Sequence, residues 1–136
     1  MKIRIKKELV SKVIVLDGLK VLLLKRNQDL VNERSPWTWD LPGGHIDPDE
    51  TAFSAAKREV AEETKIDLKF LLRMGTDSNI GKLTYFYVSD DWNGPIELSD
   101  EHEDYKWVSP NDLHNYEDEM GDMYYKMVLR ALKTRK

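Results

Sequence analysis

The sequence predicts an α/β fold of the α+β kind: a mixed sheet held between two helices, an α/β/α sandwich. Three observations predict it. The apolar patterning runs in the order strands, helix, strands, helix. The tract "KVIVLDGLKVLLLKR" sets two apolar runs around Asp17-Gly18, a strong hairpin signal. Residues 51–64 and 118–132 carry apolar side chains at helical intervals.

The N-terminal "MKIRIKKELVSKVIVLDG" begins basic, but its apolar run is short and alternates with polar residues. It reads as a strand, not a signal peptide. "NQDLVNERSPWTWDLPGG" is polar, then broken by proline, then aromatic. It reads as a loop leading into a short strand at 39–41, ended by Pro42, Gly43 and Gly44. Asp47, Asp49 and Glu50 crowd the start of the first helix, where the helix dipole favours negative charge. Pro48 suits a position just before or within a first turn. "IDLKFLLRMG" and "KLTYFYVSD" alternate as strands, and "DDWNGP" reads as a turn. "IELS" and "YKWVS" read as short strands on either side of the acidic "DEHED". Ser109 as N-cap and Pro110 as first helical residue can open a short helix. In the last helix Met120, Met123, Tyr124, Met127, Val128 and Leu132 share one apolar face and read as core.

The 136 residues are expected to form one domain, 1–136. With 40% hydrophobic and 34% charged residues, the chain is globular and not disordered. A net charge of −4 without a long basic tract argues against duplex nucleic acid or an anionic membrane as partner. A small anionic substrate stays open, because a metal ion can reverse the sign locally. There is no cysteine, so disulfide and thiolate chemistry are excluded. No run approaches the roughly 18 consecutive apolar residues of a membrane span. A cytoplasmic location is the default expectation.

The densest acidic spacing lies in the first helix. Glu59, Glu62 and Glu63 stand at i, i+3 and i+4, on the side that also carries Ala52, Ala55 and Ala56. A solvated charged face is the bland reading. It has a defect: like charges at these spacings repel, and Arg58 can pair with Glu62 but cannot neutralise all three. A divalent cation resolves the conflict, and hard oxygen ligands suit Mg²⁺ or Mn²⁺. Gly43 and Gly44 just before the helix let backbone approach a ligand closely.

One pattern is specific. Gly44, five residues, Glu50, seven residues, then Arg58-Glu59-Val60-Ala61-Glu62-Glu63-Thr64-Lys65-Ile66 resembles the Nudix box, G-x5-E-x7-R-E-U-x-E-E-x-G-U, with U an aliphatic residue. Every fixed position matches except the last glycine, where Lys65 stands. "WDLPGG" and the later "WVS" are also typical of that family. The box covers residues 44–66, and weaker similarity in length and element order covers nearly the whole chain.

The resemblance implies Mg²⁺- or Mn²⁺-dependent hydrolysis of a nucleoside diphosphate linked to another group, with the fold predicted above. It implies Glu59 and Glu63 as core metal ligands, Glu62 as a further ligand or water-orienting group, and the Gly43 carbonyl as another ligand. Glu50 and Arg58 would form an ion pair that holds loop and helix in register. A later glutamate serves some members as ligand or base. Glu101, six residues before Trp107, is preferred to Glu103 for that role. His102, flanked by acids, is expected to be solvated or hydrogen-bonded and not a ligand. In place of the family's C-cap glycine, Lys65 would cost on the order of 1 kcal/mol without touching metal chemistry. Compact MutT-like enzymes point to a (deoxy)nucleoside triphosphate. ADP-ribose, nucleotide sugars and dinucleoside polyphosphates stay open, as does a nucleotide-sensing domain without turnover. Arg26 and Trp39 are the candidate substrate-binding residues: Arg26, with Arg34, either meets phosphates or is solvated at the surface, and Trp39, with Trp37, Tyr85 and Tyr87, either stacks on a base or packs in the core or sheet. The expected partner is a small nucleotide, with no nucleic-acid polymer and no membrane; a homodimer stays open.

Overall fold

The computed structural model describes residues 7–33, 35–79 and 81–134. Residues 1–6 of the expected first strand, and Arg34, lie outside these. Strands β1 (Glu8–Asp17) and β2 (Lys20–Arg26) form the predicted hairpin, with Asp17 opposite Lys20. The turn is therefore Gly18-Leu19, one residue later than expected, with Gly18 at φ 61. A glycine tolerates that left-handed position without steric cost. The short strands β3 (Trp39–Asp40) and β4 (Gly43–His45) follow, then helix α1 (Ala52–Thr64). Next come β5 (Asp67–Asn79), β6 (Lys82–Asn93) and β7 (His102–Val108). Helices α2 (Glu117–Met120) and α3 (Asp122–Lys133) close the chain.

Seven strands make one mixed sheet. Its path runs β3-β2-β1-β6-β5, with β4 added to β1 and β7 to β2. The pairing of β1 with β6 is parallel, and the other pairs are antiparallel. Helices cover both faces, which explains why "VIVL" and "VLLL" are unbroken apolar runs. Val13, Val15, Leu22 and Leu24 pack with Ala56 and Val60 of α1. Ile14, Leu16, Val21 and Leu23 point the other way, into Tyr124, Met127 and Val128 of α3. Each fully buried aliphatic side chain contributes roughly 1.5–3 kcal/mol. Among the described residues, no helix is long and apolar enough to cross a membrane.

Four local expectations are corrected. The last helix is broken at Gly121, whose φ of 91 and ψ of 145 are not helical. The Trp37 ring lies 3.3 Å from where a Cβ would stand there, so backbone and indole meet closely. "IELS" is not a strand. Its amides cap the end of α1 instead: Glu97 N–H donates to Thr64 O (2.9 Å) and Ser99 N–H to Glu63 O (3.0 Å). "DDWNGP" is strand up to Asn93, where Trp92 stacks on Trp107 at 5.4 Å and donates its indole N–H to Leu16 O. Ser109 to Asp112 form a turn, and a 3-10 turn at Leu113–Tyr116 precedes α2.

Candidate active site

Helix α1 aims its acids at the β3–β4 turn. Thr51 caps its start, accepting from Ser54 N–H at 3.0 Å. Lys65 ends it in the left-handed conformation, at φ 64, and donates its N–H to Ala61 O. That is the geometry a glycine would adopt there without strain. Successive residues turn by about 100°, so Glu59 and Glu63 lie about 40° apart and Glu62 about 60° to the other side of Glu59. The three carboxylates therefore grade in exposure. The Glu63 side chain is 5% exposed, Glu59 17% and Glu62 58%.

Glu63 is held from two sides. Its Oε1 accepts the Gly43 N–H at 2.7 Å, and its Oε2 lies 3.7 Å from His102 Nδ1. Burial pushes its carboxyl up to about 8, against the pull of Lys12 and the Gly43 amide. Burial also raises the Glu59 carboxyl, opposed by Arg58. Gly43 sits at φ 137 beside Ser11, and a Cβ there would stand 2.1 Å from Ser11 O. A Cβ on Gly44 would stand 2.5 Å from Glu59 Oε2, so this glycine makes room for the carboxylate. The two glycines thus do separate jobs: one permits the strand contact, the other the acid.

Arg58 ties the acids together. Its Nε and Nη2 grip Glu50 at 2.6 and 2.8 Å. Its Nη1 donates to Glu59 at 2.9 Å and to Glu62 at 3.2 Å, and Nη2 to His45 O at 3.1 Å. The guanidinium hydrogen bond holds the Glu50 carboxyl down at about 2. Neither Arg58 nor Glu50 is free to react; together they fix the turn against the helix.

Glu101, the later glutamate preferred from the sequence, lies beside Glu63. Its carboxylate, that of Glu63 and the His102 ring each offer an atom within 4.8 Å of the others. Glu103 turns away and pairs with Lys25 at 3.1 Å. The loop that caps α1 delivers this pair to the end of the helix. His102 is not solvated: it is 7% exposed, and its buried Nδ1 has no hydrogen-bond partner. This donor set fits a divalent cation, with carboxylate oxygens gathered around a buried acid and an unpaired ring nitrogen facing it.

Lys12 and Asp40 went unpredicted. Lys12 is 6% exposed, and its Nζ donates to Asp40 at 3.0 Å and Leu41 O at 3.1 Å. Burial alone would lower its pKa; Asp40, together with Tyr124 and Glu63, more than reverses this and raises it. Gly43 O, expected as a ligand, faces the same Nζ at 3.5 Å. The available signal was "VSKVIVL": two polar residues intruding on a strand that is otherwise buried.

A cleft of about 390 Å³ abuts Gly44 and is lined by Lys12, Arg26, Trp37, Lys82 and Tyr124 among others. Arg26 lines it, although its guanidinium also braces the loop carbonyls of Leu30, Ser35 and Trp37. Trp37 is 43% exposed and open to this cleft. Trp39 is not: at 6% exposure it is core, edge-on to Tyr116 at 5.5 Å. It pairs with Lys25 in the sheet, so its ring falls on the helix face, away from the cleft. Tyr87 is buried edge-on to Phe53, and Tyr85 lies under Arg73. Both line a different groove, beside α1.

Residues 7–128 match the NUDIX domain family. A Bacillus subtilis (strain 168) protein named "Putative 8-oxo-dGTP diphosphatase" is 33% identical over 101 residues, 71% of this chain and 68% of that protein. A Caenorhabditis elegans protein named asymmetrical bis(5'-nucleosyl)-tetraphosphatase is 34% identical over 106 residues, 67% of this chain and 74% of its own. Among solved structures, the MutT protein from Methanosarcina mazei Go1 superposes with a TM-score of 0.75 at 26% identity, covering 99% of each chain.

Proposed function

The chain belongs to the NUDIX family of pyrophosphohydrolases, and from that premise we propose that it uses Mg²⁺ or Mn²⁺ to hydrolyse a phosphate anhydride in a (deoxy)nucleoside triphosphate. One observation carries this reading: a buried carboxylate, Glu63, stands among further acids next to a cleft lined by Lys12, Arg26 and Lys82. Glutamates alone would repel a polyphosphate. Three cationic side chains, against the carboxylates of Glu8 and Asp40 in the same lining, tilt the cleft toward one.

Glu59 and Glu63 would hold the ion, with Glu62 and Glu101 at its open side. When bound, a divalent ion polarises phosphoryl oxygens and lowers the pKa of bound water. The protein supplies the positioning. Gly43 N–H fixes one oxygen of Glu63, Arg58 fixes Glu59 and Glu62, and Glu50 fixes Arg58. Glu101 is exposed and lies beside Glu63, where it can accept a proton from the attacking water. Arg26 and Lys82 would meet phosphates, and Trp37 would stack on the base.

The two named relatives bracket the substrate choice between an oxidised deoxyguanosine triphosphate and a dinucleoside tetraphosphate. The test is a panel: dGTP, 8-oxo-dGTP, ATP, ADP-ribose, diadenosine tetraphosphate and a nucleotide sugar, each with Mg²⁺ or Mn²⁺, products separated by ion exchange. The expected result is a nucleoside monophosphate plus pyrophosphate from at least one triphosphate. Turnover confined to dinucleoside polyphosphates or ADP-ribose would replace the triphosphate reading. Tight binding with no turnover on any compound would make the chain a nucleotide sensor.

A further inference from the structure

The resemblance supplies carboxylates as ligands, and the structure adds a nitrogen. His102 opens β7, where its backbone N–H donates to Ser99 O at 3.3 Å. The strand register shifts between Lys25 and Arg26, opposite this end of β7, where Arg26 pairs with His102. Its side chain is 3% exposed. A buried ring nitrogen without a partner is rare, since its lost hydration is not repaid. Glu63 Oε2 stands 3.7 Å from Nδ1, too far for a hydrogen bond. Folding has thus placed an unsatisfied nitrogen against the deepest acid of the site, and Glu101 brings a second carboxylate within 4.8 Å of both.

Two ligand atoms on one ion lie roughly 3–4 Å apart when each bond is about 2.1 Å. The spacing of Glu63, Glu101 and His102 needs only small side-chain adjustment to meet that. We propose that His102 is a direct nitrogen ligand of the divalent ion, completing a mixed set with Glu63 and Glu101. The inference rests on the metal-dependent reading above. It has a consequence that a set made only of glutamates lacks. Imidazole suits borderline transition ions, whereas Mg²⁺ takes hard oxygens. His102 therefore biases the site toward Mn²⁺ and Co²⁺ over Mg²⁺.

The test is pulsed electron paramagnetic resonance of the full chain loaded with Mn²⁺ alone. The expected spectrum shows echo modulation from a directly bound ¹⁴N, which changes to the ¹⁵N pattern when the protein is grown on ¹⁵N-histidine. The chain has three histidines, so assignment uses His102→Phe, which keeps a ring in the space and removes the donor. In that variant the nitrogen modulation disappears. By calorimetry its Mn²⁺ affinity falls roughly tenfold or more, while its Mg²⁺ affinity changes far less. Mn²⁺ bound by the wild-type protein without nitrogen modulation overturns the ligand assignment and leaves the metal site standing. No Mn²⁺ binding at all overturns both. The wild-type spectrum decides the question even if His102→Phe folds poorly.

Discussion

Glu63 Oε2 and His102 Nδ1 face each other across 3.7 Å, with neither side chain more than 5% exposed. In metal-free protein this pairing is costly to ionise. Unfolded, the Glu63 carboxyl titrates near 4.5; folded, burial moves it to about 8. Below pH 4.5 both states hold the proton and the group costs nothing. Between 4.5 and 8 the unfolded chain releases it first, so stability falls as pH rises, and above 8 the cost is complete. Glu63→Gln removes that cost. Its amide oxygen still accepts the Gly43 N–H, and its NH₂ can donate to the unpaired Nδ1. In EDTA, the variant is expected to melt higher than wild type at pH 9, and by at least ~3 °C more than at pH 5, about 1 kcal/mol for a domain of this size. Turnover with metal falls by roughly two orders of magnitude. A melting difference independent of pH would refute the account.

The acids of this site were legible because they lie within one helix and its approach, where spacing alone sets direction. Glu59, Glu63, Glu50 and Arg58 needed nothing beyond helical projection and the box pattern. His102 and Lys12 were not legible. Each reaches the site through pairing with a strand distant in sequence, and a histidine among acids looks solvated until a loop buries it. That loop, "IELS", read as a strand because its alternation is real; its amides instead pair with the last carbonyls of α1. Periodicity likewise carried the final helix straight through Gly121, where close contact with Trp37 overrides it.

Arg58 cannot be replaced by another cation. Its five donors reach Glu50, Glu59, Glu62 and the His45 carbonyl at once, and a lysine ammonium cannot span that spread. Arg58→Lys should weaken Mn²⁺ binding by roughly 10- to 100-fold, read by calorimetry. Its stability deficit should also follow pH. The Glu50 carboxyl is depressed from 4.5 to about 2 by Arg58, so the stability it adds is present above 4.5 and lost as pH falls through 2. The melting gap between variant and wild type should narrow toward pH 2. Equal metal affinity in the two proteins would disprove the scaffold role.

Lys65→Gly tests the opposite kind of position. The backbone there is left-handed, φ 64, which costs a side chain roughly 1–2 kcal/mol. Glycine removes that strain but loses more entropy on folding, about 0.5–1 kcal/mol. The net expectation is a rise in melting temperature of a few degrees. Because the glycine variant keeps the backbone N–H bond to Ala61 O that ends the helix, Glu62 and Glu63 hold their places and kcat and KM should change little. A fall in melting temperature would mean that the lysine side chain has stabilising contacts outweighing its strain.

Lys12 and Asp40 form a largely buried ion pair, with side chains 8% and 20% exposed and 3.0 Å between charges. Lys12→Met strands the Asp40 carboxylate beside Glu63 with no cation, and breaking such a pair costs about 3–5 kcal/mol. Replacing both, Lys12→Met with Asp40→Leu, removes the uncompensated charge and should recover most of that loss. Activity should not recover with it. The Lys12 ammonium also donates to the carbonyl of Leu41 and lines the cleft, where it would offset the charge of a polyphosphate. The double variant should therefore fold well, bind nucleotide weakly and show a raised KM. Denaturant melts and steady-state kinetics on the two variants separate the roles. Recovery of both stability and KM would reduce Lys12 to a structural counterion.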